Sequence, residues 1–360
     1  VKVALVMGTS AGGTGRHVHD LVAGLVTAGH EVVVLAPAGE LAQFEIAQTG
    51  AATVELSVAD RPHPKRDAGA VALLREVCAG ADVVHAHGAR VGALTALALA
   101  GLGVPLVVTL HNASPGGGLA GRVHAVLERV VARRADLVLG VSADIVETQR
   151  RLGARRAELA VIAAPPPPEA TRDRYAVRHD LGVAPRTLLL VTVARLAPQK
   201  DLDLLVDAMA QLLERHDLDV VAVVAGDGPH RERLQARIDA LGVPIRLLGQ
   251  RGDVPDLIAA ADAVVSTARW EGQPVGLQEA LHSGAAIVAT DAGGTGAVLG
   301  DAAILVPVGD PTSMARALAD VLLHGAVRDD LRSRAIGRAG ELPDGEDALE
   351  AALTAYDSVL

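Results

Sequence analysis

One rhythm constrains this chain more than any other feature: short apolar runs alternate with helix-length amphipathic segments almost from end to end. "KVALVM" at 2–7 precedes a segment carrying Val18, Leu21, Val22, Leu25 and Val26. That is the i, i+3, i+4, i+7, i+8 spacing of a helix with one buried stripe. Gly29 stops this helix, and "HEVVVLAP" at 30–37 reads as the next strand. "ADVVHAH" (81–87), "PLVVTLH" (105–111) and "ADLVLGVS" (135–142) continue the series. Strands this apolar along their whole length need cover on both faces, which a parallel sheet with crossover helices provides.

At 164–168 "APPPP" breaks the rhythm, since proline continues neither element and a proline run forms a stiff extended spacer. The alternation then restarts with "RTLLLVTVAR" (186–195) and a helix carrying Leu202, Leu205, Val206, Met209 and Leu212. "LDVVAVVAG", "IRLLG", "DAVVSTA", "AAIVAT" and "AAILVPV" follow as further strands. The sequence therefore predicts two doubly wound, Rossmann-like α/β domains, residues 1–168 and 169–345. The amphipathic tail 346–360, with Leu349, Leu353 and Tyr356, is expected to return to the first domain. Ligand is expected beyond the carboxyl ends of the strands, in a cleft that the two domains face.

Composition narrows the function. Half the residues are hydrophobic, so each domain can bury a core, but aromatics make up only 1%. A chain this poor in aromatic faces does not offer stacking platforms for single strands, and its net charge of −10 opposes a phosphate backbone, so nucleic acid is excluded. Cys78 is the only cysteine, which rules out intrachain disulfides and Cys-based zinc sites and fits a cytoplasmic location. Val91 to Leu110 is free of charge over a membrane-spanning length, but "GLGVP" within it is turn chemistry. It reads as a buried helix, a turn and a strand. The first run, "VKVALVM", reads as a domain strand rather than as part of a signal peptide, and none is expected.

Three stretches could carry chemistry. "GTSAGGTGRHVHD" (8–20) joins a strand to a helix, and Gly12, Gly13 and Gly15 would let backbone approach a ligand. It lacks dinucleotide-fingerprint spacing, and the next strand ends without a ribose-binding acid. In "VARLAPQKDLDLL" (193–205), Arg195 ends a core strand and Lys200 opens a helix, where a cation opposes the macrodipole. A diphosphate between them would remove that conflict. "RWEGQPVGLQEALHSGAAIVATDAGG" (269–294) places Glu271 on a strand-end loop, Pro274 in the first helical turn and Glu279 nearly two turns further in. The two carboxylates could be an acid/base pair, two grips on a hydroxylated ligand, or solvated helix residues.

Arg195 and Lys200 in "RLAPQK", "GDGP" at 226–229 and the Glu-x7-Glu pair Glu271/Glu279 resemble family 4 glycosyltransferases of the GT-B fold. The resemblance runs from "GGTGRHV" to the last helix and implies a retaining transferase using a UDP- or GDP-sugar without cofactor or metal. It implies that Arg195 and Lys200 hold the donor diphosphate and stabilise its departure. Glu271 would bind the transferred sugar together with the "GQPVGL" turn (Gln273, Val275, Gly276), and Glu279 the ribose. Gly226 and Arg251, in "GQRGD", would belong to the nucleotide site, and Gly13 and Gly15 to the loop that meets donor phosphate. His111, in "TLHN", matches the family's active-site histidine. Gly12, Arg16 and His87 would lie on the acceptor side, facing a glycan, lipid-linked or small-molecule hydroxyl. The chain departs from the pattern at "AAPPPP", where Asn-Gly is common, at Asp201 and Pro274, where Gly is common, and at Ala297, where an acid is common.

Rival readings remain at this stage. Histidines 17, 19, 85, 87 and 111 could gather at strand ends and bind a metal. "DLD" at 201–203 mimics a metal-binding Asp-x-Asp, but it opens an amphipathic helix. A glycoside hydrolase would use the two glutamates and leave Arg195 and Lys200 unexplained. A nucleotide-sugar epimerase of the same fold or a non-catalytic sensor would share the donor site. "RPHPKRD" (61–67) and the basic helix at 121–136 offer a peripheral contact with the inner face of a membrane.

Overall fold

The apolar runs become strands in which nearly every side chain is covered. The structure, a computed structural model, describes residues 1–9, 13–58, 63–111, 118–163 and 166–360. Gly12, part of the basic stretch at 61–67 and part of the proline run lie outside the described residues. Two compact units emerge, Val1–Ala164 with Pro343–Leu360, and Pro165–Leu342.

The first unit holds Lys2–Met7 (β1), Glu31–Ala36 (β2), Ala52–Glu55 (β3), Val83–His87 (β4), Leu106–Leu110 (β5), Leu137–Gly140 (β6) and Ala157–Leu159 (β7). All pair in parallel, in the order β3-β2-β1-β4-β5-β6-β7. Every residue of β4 and β5 is buried, as strands covered on both faces require. β3 and β7 are the edges, and most of their side chains are exposed.

The second unit holds Leu188–Val193 (β8), Val220–Ala225 (β9), Ile245–Gly249 (β10), Ala263–Ser266 (β11), Ile287–Thr290 (β12) and Ala303–Val306 (β13). Its order is β10-β9-β8-β11-β12-β13, again all parallel. Counted within each unit, both sheets run 3-2-1-4-5-6, with an extra edge strand in the first. The order reverses between the first and fourth strands, so the ligand crevices fall beyond β1/β4 and beyond β8/β11.

The charge-free stretch resolves into the helix Ala89–Ala98, a turn with Gly101 and Gly103 at φ 79° and 71°, and β5. No described helix is long and apolar enough to cross a membrane. The last helix, Gly345–Asp357, starts at a capping box in which Asp344 and Asp347 each accept from the other's backbone amide. It packs on the helix Gly13–Thr27, where Gly24 is so close to Leu349 that an added Cβ would lie 3.1 Å from its Cδ2. Tyr356 is buried in the first unit and bonds to His85 there, with its Oη 2.8 Å from Nδ1.

Candidate functional site

In the second unit, two loops meet at the sheet's switch point: 194–201 after β8 and 267–274 after β11. They are laced together. Arg269 N–H donates to Gln199 O at 2.8 Å, Gln199 Nε2 to Trp270 O at 3.0 Å, and Thr267 Oγ1 to Lys200 O at 2.8 Å. From below, Thr290 Oγ1 donates to Ala268 O at 2.6 Å. Side chains and backbone thus fix this floor before any ligand arrives.

Lys200 does not stand inside the long helix. It ends the single 3-10 turn Pro198–Lys200, and Asp201 then turns the chain into the helix Leu202–Arg215. Its ammonium donates directly to Glu271 Oε1, and the Glu271 carboxylate is buried. The expected conflict between a cation and a helix start is therefore resolved by Glu271 itself. Arg195, two residues past β8, is exposed. Asp201 explains why glycine is common at its position: its φ is 41°, in the left-handed region where short polar residues and glycine are tolerated. Here the Asp201 carboxylate accepts from Arg269 Nε at 2.8 Å.

The Gly-Gly turn serves Glu271. Gly294 N–H donates to Glu271 O at 2.9 Å. Gly293 sits at φ 57°, and a Cβ there would lie 2.1 Å from that same carbonyl oxygen. The glycines allow backbone to close over the carboxylate-bearing loop. Gly226 has a similar task beside Arg195: its φ is 144°, and a Cβ would lie 2.0 Å from Ala194 O. The "GDGP" loop is thus pressed against the residues around Arg195, with Leu196 N–H donating to Asp227 O at 3.0 Å.

Pro274 caps the helix Val275–His282 rather than lying within its first turn. Val275, Gly276 and Glu279 follow on that helix, and Gln273 precedes it; all four are half-buried. Arg251 lies after β10 and is engaged by Asp253, its Nε donating to Oδ1 at 2.7 Å.

The first unit's switch point gathers imidazoles. His87 ends β4, His111 follows β5, and His17 comes from the helix Gly13–Thr27. His87 Nδ1 is 3.1 Å from His111 Nε2, with the rings stacked at 5.4 Å. Beneath them His85 uses both ring nitrogens, one on Tyr356 Oη and the other on Thr109 Oγ1 at 2.7 Å. Burial depresses all these histidines. His17 falls to about 4, with Asp20 opposing, and His85 to about 3, helped by His17. His87 and His111 fall well below 6.5 through burial first and neighbouring imidazoles second. His19 lies apart and meets Asp20 at 3.0 Å. Among the described residues no cluster of His, Cys, Asp or Glu is arranged to hold a metal. Gly13 opens the helix, Arg16 is exposed on it, and Gly15 is excused a side chain by Phe44, which a Cβ would meet at 2.1 Å.

The bracing residues Gln199, Thr267 and Thr290 and the His85–Tyr356 bond were not signalled by motif.

Residues 12–165 match the model of the glycosyl transferase 4-like domain, and 173–338 that of glycosyl transferases group 1. The D-inositol 3-phosphate glycosyltransferase of Actinosynnema mirum is 33% identical over 285 residues, 72% of this chain and 68% of that protein. The chain is a family 4 glycosyltransferase. The phosphatidyl-myo-inositol mannosyltransferase of Mycolicibacterium smegmatis is 29% identical over 360 residues, 92% of this chain and 85% of that one. Among solved structures, HepE of Anabaena in complex with UDP superposes with a TM-score of 0.83 at 21% identity, covering 99% of this chain and 100% of its own. WaaG, a glycosyltransferase involved in lipopolysaccharide biosynthesis, gives 0.73 at 18%, covering 99% of each. The glycosyltransferase therefore has the GT-B fold.

Proposed function

We propose that this glycosyltransferase moves a sugar from a nucleoside diphosphate sugar, UDP- or GDP-linked, to an acceptor hydroxyl with retention of anomeric configuration. The observation that carries the reading is the Lys200–Glu271 contact at the switch point, on the loop that also carries the exposed Arg195. Lys200 is a cation at the carboxyl ends of the strands with three N–H donors, of which Glu271 engages one side, so a diphosphate can compete for it. Donor diphosphate takes Lys200 from Glu271, and the released carboxylate accepts hydrogen bonds from the transferred sugar. Glu279 binds the ribose. On the second unit the 272–277 turn contacts the sugar and Gly226 and Arg251 the nucleotide; on the first, His111, Gly13 and Gly15 take the donor-side roles that the family pattern assigns. Gly12, Arg16 and His87 face the acceptor.

In the reaction the bond between the anomeric carbon and phosphate oxygen breaks, and the acceptor oxygen bonds to that carbon on the same face. The acceptor proton passes to the departing phosphate. Arg195 and Lys200 carry the charge that develops on the diphosphate, so no metal or cofactor is required. Inositol-phosphate and phosphatidylinositol acceptors in the relatives' names support a glycoconjugate or polyol acceptor here. A peripheral contact with an anionic, cytoplasmic membrane face through the helix Gly118–Arg134 belongs to the same reading; sedimentation with anionic vesicles tests it.

Arg195→Ala and Lys200→Ala should each lower turnover by roughly a hundredfold, as loss of a transition-state donor does. NMR of the product should show the donor's anomeric configuration. An inverted product, or normal turnover in Lys200→Ala, overturns the proposal.

A further inference from the structure

The histidine cluster contains an asymmetry. His87 is buried; its Nδ1 bonds to His111 Nε2, and its Nε2 has no partner among the described residues. His85, packed on the same ring at 4.2 Å, has both of its nitrogens occupied. The rings are neutral at pH 7, because burial and one another's proximity disfavour the imidazolium. Each therefore carries one N–H and one bare nitrogen.

Two tautomer pairs satisfy the His87–His111 bond. If His111 Nε2–H donates, His87 must carry its proton on Nε2, and a buried N–H is left without an acceptor. If His87 Nδ1–H donates, the atom left over is a bare nitrogen. Orphaned buried donors are rarer than under-used acceptors, so the second arrangement is favoured. It also leaves His111 with its proton on Nδ1.

We propose that His87 is a positioning residue that holds His111 as the Nδ1–H tautomer, so that His111 offers substrate a hydrogen-bond donor and cannot act as a base. His111 Nε2, the basic nitrogen, is occupied by His87. The Nδ1–H is then suited to an oxygen acceptor, a sugar hydroxyl or an oxygen gaining charge. This rests on the reading of His111 as a sugar-contacting residue only for its effect on activity; the tautomer itself is a property of the ligand-free protein.

The direct test is long-range nitrogen–carbon correlation NMR on protein with labelled histidine, assigning the 13 histidines by single substitution. His111 should show a protonated Nδ1 and a bare Nε2 at pH 7. A protonated Nε2 on His111 overturns the proposal. His87→Leu should make His111 a mixture of tautomers and lower kcat at least tenfold with little change in donor KM. His87→Asn places an amide donor where Nδ1 was and should restore the single tautomer and most of the turnover. If His87→Leu does not fold, the wild-type spectrum and the Asn variant still decide. A wild-type tautomer unmoved in His87→Leu would show that His87 does not hold it. Absence of sugar transfer by wild type from any UDP- or GDP-sugar, with the tautomer as stated, would sink the proposed donor reading and leave this assignment standing.

Discussion

Lowering the pH from 6.5 to 5 should destabilise the first unit through its buried neutral histidines. In the folded chain His17 is pushed down to about 4 and His85 to about 3, while the unfolded chain takes up protons near 6.5. Below 6.5 the unfolded state thus binds more protons, and stability falls as pH falls until the folded values are reached. For each such group the slope rises from about 0.7 kcal/mol per pH unit at 6.5, where the unfolded imidazole is half protonated, to about 1.4 well below it. Between pH 6.5 and 5 each therefore removes about 1.6 kcal/mol and the two together about 3 kcal/mol, and His87 and His111 act in the same direction. That is a large part of the roughly 5–15 kcal/mol that holds a domain folded. Urea unfolding followed by far-UV circular dichroism at the two pH values measures it, with a midpoint drop of more than about 1 M expected. His17→Gln removes one of the two terms and should lessen the loss by roughly 2 kcal/mol. Equal midpoints at both pH values, or an unchanged pH dependence in His17→Gln, would refute the reasoning.

Other perturbations address single contacts. Tyr356→Phe removes the hydroxyl partner of buried His85 and should cost about 1–3 kcal/mol in chemical denaturation, releasing the last helix first in hydrogen exchange. Gly293→Ala forces a Cβ against Glu271 O at positive φ; donor affinity should fall at least tenfold by calorimetry while the far-UV spectrum is kept. On the proposal that Arg195 and Lys200 supply the charge, transfer should persist in excess EDTA; loss restored by manganese would contradict it.

Much of this fold was legible because buried parallel strands must be apolar throughout. β4, β5 and β9 could be read from the chain for that reason. β3 and β7 could not: as edges they are short and mostly exposed, and nothing in "ATVE" or "AEL" demands burial. Of the candidate site, Arg195, Lys200, Glu271 and Glu279 were visible by their spacing. What spacing cannot express is which carboxylate a lysine reaches. Glu271 and Lys200 are 71 residues apart and meet because β8 and β11 are neighbours at the switch point. The histidines posed the reverse problem. Their positions at strand ends were visible, but their role as hydrogen-bonding partners depends on ring orientation, which only packing sets.

The central claim is that the Lys200–Glu271 contact marks the donor diphosphate site. Titration calorimetry of UDP and GDP into wild type and Lys200→Ala tests it most directly. At least one nucleotide should bind wild type, and Lys200→Ala should weaken it at least tenfold, the loss of a charge-assisted hydrogen bond of about 1.5–3 kcal/mol. Binding of equal strength in the variant, or binding of neither nucleotide to wild type, would contradict the account.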